Sequence, residues 1–346
     1  MKSIKNLLMV SVGCGCLGIM LPAPAQTWTQ TSAPSTNWTA IASSADGATL
    51  VAAVSDGEIY ASTNSGVTWQ KGANLPNFHE HFYNDIWTSV ASSADGVKLA
   101  ATSDVYNIAA GSFGEAVYIS TNSGAGWSKT SLATGLSSIA SSADGNKLAA
   151  LEFYGLFTST NRGATWMTNN SYLYLTSIAS SADGTKLVAA FHFGIYVSTN
   201  SSATWIQTSA PMRDWASTAS SADGTKLAAI DSDFGRIHIS TNSGITWTSN
   251  SVPVAVWNGV ALSADGSRLV AVATNGLIFT STNSGVAWRS NSVPTNYWYA
   301  VASSADGTKL AAVVRGGGIY TSYTVPKPSL CLAASNNNLA FSWTMP

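Results

Sequence analysis

Ten carboxylates of this 346-residue chain stand apart from its repeated turns: Asp56, Glu58, Glu80, Asp85, Asp104, Glu115, Glu152, Asp214, Asp231 and Asp233. Glycoside hydrolysis needs two carboxylates flanking a sugar, one as acid and one as base or nucleophile. Their spacing singles out no such pair, so no catalytic residue is assigned. Arg213, Arg236 and Arg315 are the arginines of the same class of loops. His79-Glu80-His81 has metal-ligating side chains, but three consecutive residues chelate one ion poorly, and no metal site is expected. There is no Ser-His-Asp arrangement, phosphate loop or zinc signature, and no cofactor is implied.

Two aromatic groupings offer binding rather than chemistry. The first comprises two insertions. One runs from Asn77 to Asp85 and carries Phe78, His79, Glu80, His81, Phe82, Tyr83 and Asp85. The other runs from Asp104 to Glu115, with Tyr106, Phe113 and Glu115. Both leave neighbouring strand ends, so they are expected to meet as a groove with aromatic walls and a few carboxylates. The alternative is a loop that merely covers the sheet. The second grouping is a repeat position held by Trp38, Trp87, Leu136, Leu175, Trp215, Trp257 and Trp298. Around a channel mouth the five tryptophans would form a stacking platform; packed between repeats they would be scaffold.

The elements that position these residues follow from an internal repeat. Ser-Ala-Asp-Gly recurs with its aspartate at 46, 95, 144, 183, 223, 265 and 306. A second motif, Ser62-Thr-Asn64-Ser-Gly66-Val-Thr-Trp69 in the first copy, recurs with its tryptophan at 127, 166, 205, 247 and 288. Each unit reads as four short strands. In the first these are Trp38 to Ser44, Thr49 to Val54, Glu58 to Thr63 and Val67 to Lys71, with Asp46-Gly47 as a primed hairpin turn. Four antiparallel strands per repeat of this length predict an all-β, seven-bladed β-propeller.

The seventh unit stops at Thr321-Ser322, before its tryptophan. Thr27 to Pro34, with Trp28, matches the internal fourth strand Thr204 to Pro211. The N-terminal strand is therefore expected to complete the C-terminal blade and close the ring, removing an exposed edge. The loops between second and third strands, and those between repeats, then share one face. The copies diverge there, and rigid scaffolds usually carry binding residues on such loops.

Residues 1–25 read as a signal peptide, with Lys2 and Lys5 before an apolar run and Ala23-Pro24-Ala25 as the cleavage site. The propeller spans 26–323, and 324–346 is a linker and short tail, a possible truncated β module. After leader removal Cys331 is the only cysteine, which excludes an internal disulfide. Net charge is −1 with 10% charged residues, so nothing points to nucleic acid. An exported monomer, extracellular or in the cell envelope, is expected.

Ser-x-Asn-x-Gly-x-x-Trp resembles the Asp-box, or BNR repeat, with asparagine in place of aspartate throughout. The resemblance covers about residues 27–323 and reaches sialidase-like and related WD40/YVTN-type propellers. It implies that the box is a structural turn and its tryptophan an inter-blade packing residue, so Asn64, Asn122, Asn161, Asn200, Asn242 and Asn283 are read as structural. Ser202 stands where the box has glycine, which implies strain in that turn. The sialidase Arg-Ile-Pro motif is absent. The expected function is a non-catalytic binding or scaffold propeller for a glycan or an extracellular protein. The alternatives are a glycoside hydrolase or lyase, sialidase-like or xyloglucanase-like, and an assembly factor with a protein client.

Overall fold

A computed structural model describes residues 26–55, 57–75, 85–107, 112–113, 116–132, 134–152, 155–170, 175–249, 252–323, 329–335 and 338–344. Among them there are strands and turns and no helix, hence none long and apolar enough to cross a membrane. Gln26–Tyr323 form one compact unit, and the hairpin of Ser329–Ser335 with Asn338–Thr344 belongs to another. The proposed leader, residues 1–25, lies outside the described residues.

The first repeat folds as the antiparallel strands β2 (Thr36–Ser43), β3 (Leu50–Val54), β4 (Ile59–Ser62) and β5 (Gln70–Lys71). Four further repeats form separate four-stranded sheets in the same order, beginning at Leu136, Leu175, Trp215 and Trp257. In the second repeat the strand Leu99–Asn107 runs on past the sheet and pairs with Ser112–Phe113. The second strands open on an apolar run, as in Leu50-Val-Ala-Ala-Val54, where one-sided burial would require alternation. The run is buried throughout because both faces of the sheet are covered, each by an adjacent sheet. The core clusters accordingly combine consecutive repeats. Val51 and Ile59 pack with Trp87 and Leu99, and Trp38 and Leu50 pack with Ala311 and Val313 of the last repeat.

The first described strand pairs with the last repeat. β1 (Trp28–Gln30) pairs antiparallel with Ile319–Tyr323, Trp28 opposite Ser322. The N-terminal segment also reproduces the bonds of its internal counterpart. Thr31 Oγ1 accepts from Trp69 Nε1 at 3.2 Å, as Thr208 Oγ1 does from Trp247 Nε1 at 3.2 Å. Ser32 Oγ donates to Val67 O at 2.8 Å, as Ser209 Oγ does to Ile245 O at 2.7 Å.

The Ser-Ala-Asp-Gly turns lie at one end of every sheet. Ser44 Oγ donates to Asp46 Oδ1 (2.6 Å), which also accepts from the Ala48 N–H (2.9 Å). Gly47 N–H donates to Ser44 O at 3.0 Å. Only Gly47 has a positive φ, +68°, so the turn is not the primed hairpin expected from Asp-Gly: its central residues, Ala45 and Asp46, keep ordinary backbone angles. Ala45 N–H donates to Ala94 O, and the bond recurs through Ala143, Ala182, Ala222, Ala264 and Ala305, whose N–H returns to Ala45 O, each at 2.7 or 2.8 Å. These bonds fix all the Asp-Gly turns at one common end. The loops between second and third strands, and those joining repeats, therefore share the other end.

Candidate functional site

The tryptophan ring is interior. Trp38, Trp87 and Trp298 are 0% exposed, Trp215 1% and Trp257 2%. A fully covered indole has no face for a ligand, so the platform reading is corrected: these are packing residues. Their N–H groups explain part of the choice of tryptophan. Trp38, Trp87 and Trp257 donate to Pro34 O, Gly57 O and Gly235 O at 3.2, 2.9 and 3.1 Å, tying each inner strand to an adjoining loop.

Of the proposed groove, Phe78, His79, Glu80, His81, Phe82, Tyr83 and Glu115 lie outside the described residues, as do the side chains of Asp85, Tyr106 and Phe113. The backbone brings Asp85 opposite Val105 and Tyr106 opposite Phe113. The two insertions thus leave adjacent strands, and the second continues the sheet as paired strand.

The box asparagines take the structural part. Asn64 Oδ1 accepts from Ser62 Oγ (2.9 Å) and the Thr68 N–H (2.9 Å), closing the turn on itself. Ser202 adopts φ +73° in the left-handed region, as the missing glycine implied. Its hydroxyl offsets that strain by accepting from Trp205 Nε1 (3.0 Å) and Asn169 Nδ2 (3.1 Å).

A constellation not singled out by the sequence sits on the divergent face of the fifth repeat. Asp231 is 1% exposed at the end of the strand Leu227–Asp231. Its Oδ1 accepts from the N–H groups of Asp233 (2.9 Å) and Phe234 (3.0 Å). Its Oδ2 lies 3.3 Å from Arg213 Nε and 3.5 Å from His238 Nε2. The Arg213 guanidinium stacks 3.9 Å above the Phe234 ring. Burial pushes the His238 pKa below its usual range despite Asp231, so the imidazole is neutral at pH 7. His192 Nδ1 stands 3.0 Å from Asp214 Oδ1, linking the fourth repeat to this cluster. Asp233 Oδ2 accepts from the Asp214 N–H at 3.0 Å. Asp231 thus spends both oxygens holding a loop and an arginine, which suits positioning and not proton transfer.

Around this cluster the face is apolar. Phe193 is 58% exposed, Phe234 51% and Met212 74%, with Val254 and Val256 exposed on the next loop. Phe193 has φ +125°, a conformation in which side chains are strained. The corresponding turns of later repeats place glycine in the left-handed region: Gly235, Gly276 and Gly316. The fourth repeat therefore carries strain while exposing an aromatic ring. Comparing the turns repeat by repeat would not by itself have singled out Phe193, since the third repeat carries Tyr154 at the same position before Gly155. At the opposite end Val67, Ile245 and Val286 are exposed at one repeated turn position, and Val97 is exposed in an Asp-Gly turn.

No protein-family model matches the chain, and no curated protein matches it. Solved structures do. YCF48 from Cyanidioschyzon merolae superposes with TM-score 0.65 at 14% identity, over 86% of this chain and 98% of that one. YCF48 bound to a D1 peptide gives 0.64 at 12% identity, over 88% and 99%. The GH74 xyloglucanase from Xanthomonas campestris gives 0.68 at 17% identity over 91% of this chain, which spans only 55% of that enzyme. The β-propeller domain of Cps50 (Swd1) from Myceliophteria thermophila gives 0.62 at 13% identity, over 87% and 100%. At these identities the likeness concerns the fold, and the fold is that of a β-propeller.

Proposed function

We propose that the chain is a non-catalytic, seven-bladed binding propeller whose divergent face holds a segment of a protein partner. Seven Ser-Ala-Asp-Gly turns joined by the returning alanine bonds support the blade count, and the pairing of β1 with Ile319–Tyr323 supports closure of the ring. The observation that carries the function is the strained, exposed Phe193 beside Met212 and the Arg213–Phe234 stack. Exposed apolar clusters mark interaction sites, and strain concentrates where function requires a particular conformation. A YCF48 structure with bound D1 peptide is a precedent for peptide capture by this fold. The leader-like residues 1–25 support export, and the partner is then a protein of the cell envelope or exterior.

The hydrolase alternative has less support. Asp231 is committed to its loop, and the Glu58 carboxylate is paired with Lys71. The test is selection of a phage-displayed random peptide library on the immobilised protein. Enriched clones that no longer bind a Phe193→Gly/Phe234→Ser variant support the reading; failure to enrich, or clones indifferent to the variant, contradicts it.

A further inference from the structure

Every first strand shifts register one residue after its tryptophan or leucine, at Thr39, Thr88, Ser137, Thr176, Ala216, Asn258 and Tyr299. A bulge re-aims the side chain of its extra residue. In several repeats that side chain bridges to the next inner strand: Thr88 Oγ1 donates to Leu136 O (2.6 Å), Thr176 Oγ1 to Trp215 O (2.7 Å) and Asn258 Nδ2 to Trp298 O (2.7 Å). The last repeat breaks the pattern with a tyrosine.

Tyr299 stacks on Tyr297, ring centroids 6.4 Å apart and planes 21° from parallel. Arg315 lies over the Tyr299 ring at 5.6 Å. The exposed Asn37 is opposite Arg315 in the strand register. Asn296 Nδ2 is buried without a hydrogen-bond partner. At Gly316, next to Arg315, an added Cβ would meet only Asn37 Oδ1, at 3.7 Å, so the space around that residue is open. No carboxylate is bonded to Tyr297, Tyr299, Arg315 or Asn37 among the described residues.

We infer that Tyr297 and Tyr299, with Arg315 and Asn37, form a subsite for a neutral hexose ring of an oligosaccharide. The C–H face of a pyranose fits the exposed Tyr297, backed by the half-buried Tyr299, and its hydroxyls both donate and accept, matching guanidinium and amide at the rim. A purely apolar ring would leave those polar groups desolvated and unpaired. Without a carboxylate in contact, the subsite binds and does not cleave. The inference goes beyond the peptide surface of the fourth to sixth repeats and does not rest on it.

The test is calorimetric titration of the full chain with cellopentaose, laminaripentaose and mannopentaose at millimolar concentration. The expected result is saturable binding of at least one, weakened about tenfold by Tyr299→Thr, which removes the ring that holds Tyr297 and Arg315 in place, an aromatic contact being worth that much. Threonine occupies the same bulge in other repeats, so the variant keeps its fold, checked by an unchanged melting curve. Tyr297→Ala should weaken the same sugar. Absence of saturable binding to any of the three, or affinity unaltered in Tyr299→Thr, overturns the inference. Peptide clones from the library selection should bind Tyr299→Thr as they bind the parent, so the two readings fail separately.

Discussion

Replacing Trp28 by alanine isolates the contribution of β1 to the last sheet. Trp28 is 7% exposed and packs in one cluster with Val270, Ile278, Trp298 and Leu310. Its ring lies 6.2 Å from Trp298 at 48°, close to the internal pairs Trp38–Trp69 (6.5 Å, 44°) and Trp215–Trp247 (6.4 Å, 40°). Truncating a buried tryptophan to alanine costs about 3–5 kcal/mol, a large part of the 5–15 kcal/mol or so typical of a domain. At roughly 2 °C per kcal/mol for a unit of this size, Tm falls by about 6–10 °C. Deleting residues 26–34 goes further, baring the edge of Ile319–Tyr323 and causing aggregation. A synthetic peptide of residues 26–34 should restore a soluble monomer in size-exclusion chromatography. A Trp28→Ala protein melting like the parent, or a monomeric deletion variant with unchanged Tm, would refute the strand's role.

Other outcomes follow from single side chains. Phe193→Gly relieves backbone strain at a mostly exposed residue and should raise stability by about 1–3 kcal/mol in urea titration while abolishing peptide binding. Asp231→Ala leaves Arg213 and two loop N–H groups without their acceptor and should cost about 3–5 kcal/mol by the same titration. Gly124→Ser should destabilise by about 1–3 kcal/mol, since its Cβ would stand 2.6 Å from that of Ala61, whereas Ser202→Gly exchanges strain for hydrogen bonds and should stay within about 1 kcal/mol of the parent. The turn aspartates Asp183, Asp223 and Asp265 are held at about 2, first by the hydroxyls of Ser181, Ser221 and Ser263 and then by backbone N–H groups. Their folded pKa lies below the unfolded value, so their stabilisation is complete above about pH 4 and is lost as pH falls towards 2. Urea midpoints measured from pH 6 to pH 2 should show that decline, and Asp→Asn changes at these three positions should flatten it.

The repeat made the strand order readable because each unit carries its own turn chemistry. Asn64 and Asp46 act locally, within a few residues, so their spacing already contains their hydrogen bonds. The match of Thr27–Pro34 to Thr204–Pro211 carried the pairing of β1 with Ile319–Tyr323 for the same reason. The tryptophan ring was ambiguous because sequence gives a residue's position along a strand and not its depth: platform and packing predict the same spacing. Asp231, His238 and Arg213 come from two strands and a connecting loop, so nothing local in the sequence joins them. Phe193 was out of reach, since the third repeat has Tyr154 at the same place and only the backbone angle marks the strain.

Hydrogen–deuterium exchange with and without a selected peptide tests the proposed binding face most directly. Slowed exchange at residues 192–194, 212–214, 233–235 and 254–256, with the Asn-Ser-Gly turns near Val67, Ile245 and Val286 unchanged, is the predicted result. Protection confined to those turns, or to the outer strands, would place the partner elsewhere and contradict binding through the divergent face.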